Sequence, residues 1–174
     1  MITNSKGVWF FGLSGSGKTF ASNILRKKFH NSFIIDGHEV RKHISFDLGY
    51  SFLEREIQLE RLLGLSKIVL SNKLYPICSS VLMTNKIFEK CKNENIKVLK
   101  IDRSYSEIKK IRKIYALNNN VVGKDIDQPL INTERIFNDG TFKFEEAIKD
   151  LVNIRLSIQS KQSVFQNVPL NNSL

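Results

Sequence analysis

Apolar residues along this chain gather in short runs separated by longer stretches of mixed polarity. Five of the runs predict buried strands: Val8–Leu13, Ser32–Asp36, Leu74–Ser80, Ile96–Asp102 and Pro129–Thr133. Between them, apolar positions recur three and four apart, which predicts helices over Lys18–Phe29, Leu53–Ser71, Thr84–Lys92 and Ser104–Leu117. A last helix over Phe142–Ile158 would carry Phe144, Ile148, Leu151 and Val152 on one face. Strand and helix in alternation predict an α/β fold, a five-stranded parallel sheet with helices on both faces. One domain is expected over residues 1–159, followed by a polar tail over 160–174.

In such a sheet a ligand sits outside the carboxyl ends of the strands. Those ends carry Gly12-Leu13-Ser14, Asp36-Gly37-His38 and Ser79-Ser80. The polar stretch Asn118–Gln128, part of a lid region near 104–128, is expected to be mobile.

The first strand end is informative by itself. Gly12-Leu13-Ser14-Gly15-Ser16-Gly17-Lys18-Thr19 matches G-x-x-x-x-G-K-[ST] in full, between an apolar strand and a helix. Glycines let the backbone curl so that successive N–H groups point at a phosphate, and the following helix adds its positive end. Lys18 is expected to bridge the β- and γ-phosphates of ATP, and the Thr19 hydroxyl to hold Mg²⁺. A guanine reader of the form N-K-x-D is missing, because Asn85-Lys86-Ile87-Phe88 has Phe88 at the acidic position. The run ending in Ser79-Ser80 also lacks the acid of a motor ATPase. A small chain with Asp36-Gly37 on its second strand reads instead as a nucleoside or nucleotide kinase.

Composition changes this picture little. The chain is 41% hydrophobic and 25% charged, as soluble domains commonly are. No apolar run approaches the roughly 18 residues that span a bilayer, and the start lacks the pattern of a secretory leader. A net charge of +10 asks for an anionic partner, but the basic residues are dispersed and mostly Lys. That argues against nucleic acid, whereas a nucleotide with several phosphates fits a positive cleft. Cys78 and Cys91 form no disulfide framework and are read as reduced thiols in a cytoplasmic protein. The three histidines and two cysteines have no zinc-ligand spacing.

GLSGSGKTF, DGHEVR, DLGYS, EREIQLER and, later, Asn120-Val121-Val122-Gly123-Lys124-Asp125-Ile126 follow one another in a fixed order. In that order and spacing the chain resembles the adenylylsulfate (APS) kinases. The resemblance implies transfer of the ATP γ-phosphate to the ribose 3′-hydroxyl of a nucleoside 5′-phosphate anhydride, with Mg²⁺ as cofactor. It implies ATP binding by Gly12, Leu13, Ser14, Gly15, Ser16, Gly17, Lys18 and Thr19. It implies acceptor binding by Asp36, His38, Arg41, Tyr50, Arg55, Gln58, Val121, Val122 and Gly123, with Arg41 and Arg55 against anionic groups and Tyr50 stacked on the base. Lys18, Asp36 and His38 are the catalytic candidates. Thr19 and Asp36 are the Mg²⁺ candidates, and Asp36 would also orient the attacking hydroxyl. His38 is read either as acceptor of the hydroxyl proton or as a contact to the acceptor.

Departures from the family pattern gather on the acceptor side. His38 replaces an acid, Gln58 an Asn, Glu60 an Arg, Leu82 a serine that some members phosphorylate, and Val121 an aromatic. The stretch IKKIRKIY barely matches the family's RDPKGLY, with Lys109, Arg112 and Lys113 as substitutes. An altered acceptor follows. Cytidine diphosphoramidate, from capsule decoration, is placed ahead of APS, with Val121 penalising adenine and Glu60 accepting from the cytosine amine. The alternatives are APS itself, a P-loop hydrolase or switch, and a binding module without catalysis. A homodimer is left open.

Overall fold

The computed structural model describes residues 5–151; the expected helical turns from Val152 onward and the tail over 160–174 lie outside them. At its centre is β1 (Gly7–Phe11), buried at every position. A strand sends alternate side chains to opposite faces, and β1 shows why both faces must be covered. Val8 and Phe10 enter a core with Ala21, Ile24 and Leu25 of α1 (Lys18–Lys28) and with Phe144, Ile148 and Leu151 of a helical segment over 142–151. Trp9 and Phe11 enter a second core on the other face, with Leu59, Leu62 and Leu63 of the long helix α3 (Phe52–Ser71) and Ile87 and Cys91 of α4 (Asn85–Asn93).

Around β1 the strands β2 (Ser32–Asp36), β3 (Tyr75–Ser80), β4 (Ile96–Asp102) and β5 (Arg135–Phe137) complete a sheet of order β2-β3-β1-β4-β5. Every pairing is parallel, so the chemistry at the strand ends is brought to one edge. The expected five-stranded parallel sheet with helices on both faces is thus observed, and four of its five strands lie where the apolar runs put them.

The fifth does not. Pro129–Thr133 was expected to be the last strand, but pairing with β4 begins at Glu134, whose carbonyl accepts from the Lys100 N–H at 3.0 Å. Ile131 is buried against the α3-side core and Thr133 donates its hydroxyl to the Val98 carbonyl at 2.6 Å. Only Ile131 of the run is buried, Leu130 is exposed, and Pro129 has no N–H to give to a ladder.

Two helical expectations also change. Asp36 caps a short helix, α2 (Gly37–His43), by accepting from the His38 N–H. Its one buried residue, Val40, left no periodic signal in the sequence. The single helix expected over Ser104–Leu117 is broken into α5 (Tyr105–Ile111) and α6 (Ile114–Leu117), with Arg112 extended between them. In contrast, α3 begins where Ser51 and Glu54 form a reciprocal capping box. Among the described residues no helix is long and apolar enough to cross a membrane.

Candidate active site

The phosphate loop closes in a tight turn, the Ser16 N–H donating to the Leu13 carbonyl at 3.1 Å. Gly17 stands at the N-cap of α1 with φ 110°, a conformation that side-chain-bearing residues rarely adopt. Lys18 folds its ammonium under the loop and donates to the carbonyls of Gly12 and Leu13, both at 2.8 Å. Burial of that ammonium lowers its pKa to about 8; the Asp36 carboxylate opposes the shift and the Arg112 charge adds to it.

Asp36 lies at the junction of the loop and the second strand end. Its Oδ2 accepts from the Thr19 hydroxyl at 3.0 Å and from the Ser79 hydroxyl at 3.2 Å, while Oδ1 accepts from the His38 N–H at 2.8 Å. The register makes this possible, since Asp36 and Ser79 are partners across β2 and β3. With its proton turned toward Asp36, the Thr19 hydroxyl keeps its lone pairs for a cation. Hydroxyl and carboxylate oxygens are the hard donors that Mg²⁺ takes. No group of three His, Cys, Asp or Glu residues that would hold a metal alone exists among the described residues. Thr19 and Asp36 therefore fit Mg²⁺ held chiefly by phosphate oxygens.

Beyond Asp36, α2 and the loop after it form a shallow groove of about 300 Å³, lined by His38, Arg41, Lys42, Phe46, Leu48 and Tyr50. Two cations flank the half-exposed Tyr50 ring: the Arg41 and Arg55 guanidinium carbons lie 4.6 Å and 5.3 Å from its centroid. Burial lowers the pKa of both arginines, and for Arg55 the Arg41 charge adds to it. Two guanidiniums, still charged at neutral pH, sharing one ring make a place for an anion. Both also hold the backbone. Arg41 donates to the carbonyls of Leu48 and Gly49, and Arg55 to those of Tyr50 and Asn120 at 3.0 and 2.7 Å. Gln58 is buried, donates to the Gly37 carbonyl at 3.2 Å and leaves its Oε1 without a partner.

The segment expected to be a mobile lid packs against its surroundings in this structure. Val121 is buried with Ile108 and Tyr115, and Val122 lies in the α3-side core, so neither lines the groove as the acceptor set had it. Gly123, at φ 85°, presses on Leu13 and has no room for a side chain. Glu60 is also displaced from its expected role. Both its oxygens accept from Lys90, at 2.6 and 2.8 Å, and Lys86 approaches to 3.1 Å, on the surface between α3 and α4. Leu82 is buried.

Several residues of the site escaped the sequence reading. The Tyr115 hydroxyl donates to the Ser14 carbonyl at 3.2 Å, and burial pushes its pKa up to about 12, so it stays a donor. The buried Asn138 donates to the Ser16 carbonyl at 2.7 Å. Arg112, one of three cationic substitutes, lies across Gly15, whereas Lys109 sits over the Tyr105 ring at 5.0 Å. Phe46 completes the list; Ser79 was named at its strand end but given no role.

The model of the family Adenylylsulphate kinase matches residues 4–116, well over half of the chain. An adenylyl-sulfate kinase of Halothermothrix orenii is 34% identical over 86 residues, 46% of this chain and 46% of that protein. One of Bacteroides thetaiotaomicron is 32% identical over 90 residues, 49% and 45% respectively. The chain thus covers less than half the length of these curated relatives. The Mycobacterium tuberculosis APS kinase CysC, solved with AMPPNP and APS, superposes with a TM-score of 0.77 over 86% of this chain and 96% of that one, at 18% identity. A gluconokinase of Sinorhizobium meliloti 1021 gives a TM-score of 0.56 at 12% identity over 93% and 97%. The sheet is therefore common to kinases of different acceptors, and the sequence match is more selective than the fold. On that match this chain belongs to the adenylyl-sulfate kinase family.

Proposed function

We propose that the chain is an ATP-dependent kinase that phosphorylates the ribose 3′-hydroxyl of a nucleoside 5′-phosphate anhydride, with adenylyl sulfate as the acceptor. The observation that carries this reading is the position of Asp36, bonded to Thr19 of the phosphate loop while His38 and Arg41 of the helix it caps line the groove. Residues 1–159 would form the kinase domain, with 104–128 over the phosphate loop.

In the transfer, the 3′-oxygen forms a bond to the γ-phosphorus as the bond from that phosphorus to the β–γ bridging oxygen breaks. The hydroxyl proton goes to Asp36 or to water, and ADP leaves. Mg²⁺, when bound, supplies charge neutralisation on the phosphate oxygens. Lys18 meets the charge of the transferred group, and loop N–H groups hold the β-phosphate. Arg41 and Arg55 hold the acceptor's anhydride, Tyr50 carries its base, and His38 borders the 3′-hydroxyl.

Cytidine diphosphoramidate is the second reading, favoured by the substitutions at His38, Gln58 and Val121. Its two specific supports weaken, however. Glu60 is engaged by Lys86 and Lys90 and is unavailable to a cytosine amine. The groove has a second aromatic residue, Phe46, so an adenine need not depend on a ring at position 121. A coupled assay at saturating Mg-ATP with both acceptors decides. We expect kcat/KM at least tenfold higher for adenylyl sulfate; the reverse order installs the cytidine acceptor. ATP hydrolysis indifferent to both would leave a P-loop hydrolase.

A further inference from the structure

We propose that Ser79 is a positioning residue for the transfer, acting through Asp36; this rests on the kinase reading above. A carboxylate has about four lone-pair sites, two on each oxygen. On Asp36 the Oδ2 pair is taken by the hydroxyls of Thr19 and Ser79, and one site of Oδ1 by the His38 N–H. One site remains, on Oδ1, the oxygen on the side of α2. Three donors from three elements, α1, β3 and α2, thereby leave the carboxylate one orientation and one free acceptor position.

Each donor has a different degree of freedom. The His38 N–H is fixed by the helix it begins. The Thr19 hydroxyl belongs to the exposed rim of the phosphate loop, where it is shared with the nucleotide's cation. Ser79 is buried, on a strand paired on both sides, with the Gly37 backbone pressed against its carbonyl. It is the donor least able to move when ATP binds. When Thr19 turns to the nucleotide, Ser79 is the hydroxyl that keeps Oδ2 in place and Oδ1 toward the acceptor. The groove then receives the attacking hydroxyl on a carboxylate whose direction does not change with the state of the loop.

The test compares the wild-type chain with Ser79→Ala and Ser79→Thr, measuring kcat, KM for ATP, KM for adenylyl sulfate and melting temperature. Hydrogen bonds to charged groups are worth enough to expect kcat to fall about tenfold or more in Ser79→Ala, with KM for ATP within about twofold. Ser79→Thr, which keeps the hydroxyl, should recover most of kcat. Should Ser79→Ala melt too low to assay, Ser79→Cys, of similar size with a weak donor, takes its place under the same criterion. A wild-type-like kcat in the deletion variant overturns the inference and leaves the kinase reading intact. Loss of kcat that tracks melting temperature alone, with Thr no better than Ala, overturns it as well. No transfer by the wild-type chain to any nucleoside anhydride removes the kinase reading and this inference with it.

Discussion

Lys18 concentrates the chemistry of the phosphate loop in one ammonium. It is drawn onto the carbonyls of Gly12 and Leu13, so its charge is held at the loop itself. Loss of a preorganised charge of this kind typically costs on the order of 3–4 kcal/mol. Lys18→Ala should therefore lower turnover a hundred- to a thousandfold with the melting temperature nearly unchanged; turnover within tenfold of wild type would contradict the assignment. The lowered pKa adds a pH dependence. Lys18 is charged below about 8 and loses its proton above it. Affinity for an ATP analogue should accordingly weaken between pH 7 and pH 9, read by calorimetry, and a flat profile would mean that the amine does not meet the phosphates. The placement of Lys18 and Thr19 at the phosphate loop was legible in the sequence because their spacing along eight residues is itself the geometry. Tyr115 and Asn138 were not, because their contacts with Ser14 and Ser16 cross 101 and 122 residues of chain.

Among the elements, α3 was the easiest to foresee and remains imperfect. Its expected span, Leu53–Ser71, misses the observed start by one residue, because the capping box of Ser51 and Glu54 that sets it was not read; Leu59, Leu62 and Leu63 give it a buried face. Gly64 sits in its interior, where a Cβ would meet nothing within 4 Å. Glycine costs a helix about 0.8–1 kcal/mol relative to alanine. Gly64→Ala should raise stability by roughly that amount, seen as a higher denaturation midpoint with kcat unaltered, and a destabilised variant would refute the open space. The elements that were misread share one cause. The strand expected at Pro129–Thr133 and the helix expected through Arg112 were inferred from local apolar spacing. In both places a long-range contact decides: Thr133 with Val98, and Arg112 with Gly15. Periodicity reports which side chains are buried, and it is silent on which backbone groups are paired.

For the whole molecule, parallel pairing around β1 gathers the strand ends at one edge, so loop, carboxylate and groove face a common space. The order of motifs anticipated that assembly, including the placement of His38, Arg41 and Tyr50 in one groove. It did not foresee the burial of Val121 and Val122 or the pairing of Glu60 with Lys86 and Lys90, since a match in register says nothing about which way a helix or loop turns a side chain. One tie reaches from end to end of this site. Arg55 holds the Tyr50 carbonyl beside the groove and the Asn120 carbonyl at the head of the segment whose Val121 and Gly123 bear on the phosphate loop. An acceptor anion bound to the three N–H groups that this guanidinium has left draws on both carbonyls through it, and so on a support of the nucleotide's cradle. The two ligands then share a thermodynamic cycle, in which each must alter the other's affinity by the same factor. Saturating adenylyl sulfate should shift the Kd of an ATP analogue about fivefold or more, and saturating analogue should shift that of adenylyl sulfate equally. In Arg55→Ala the factor should fall toward one, while Arg41→Ala should weaken the acceptor and leave the factor standing. Equal factors in all three proteins would mean that the two ligands occupy this chain as strangers.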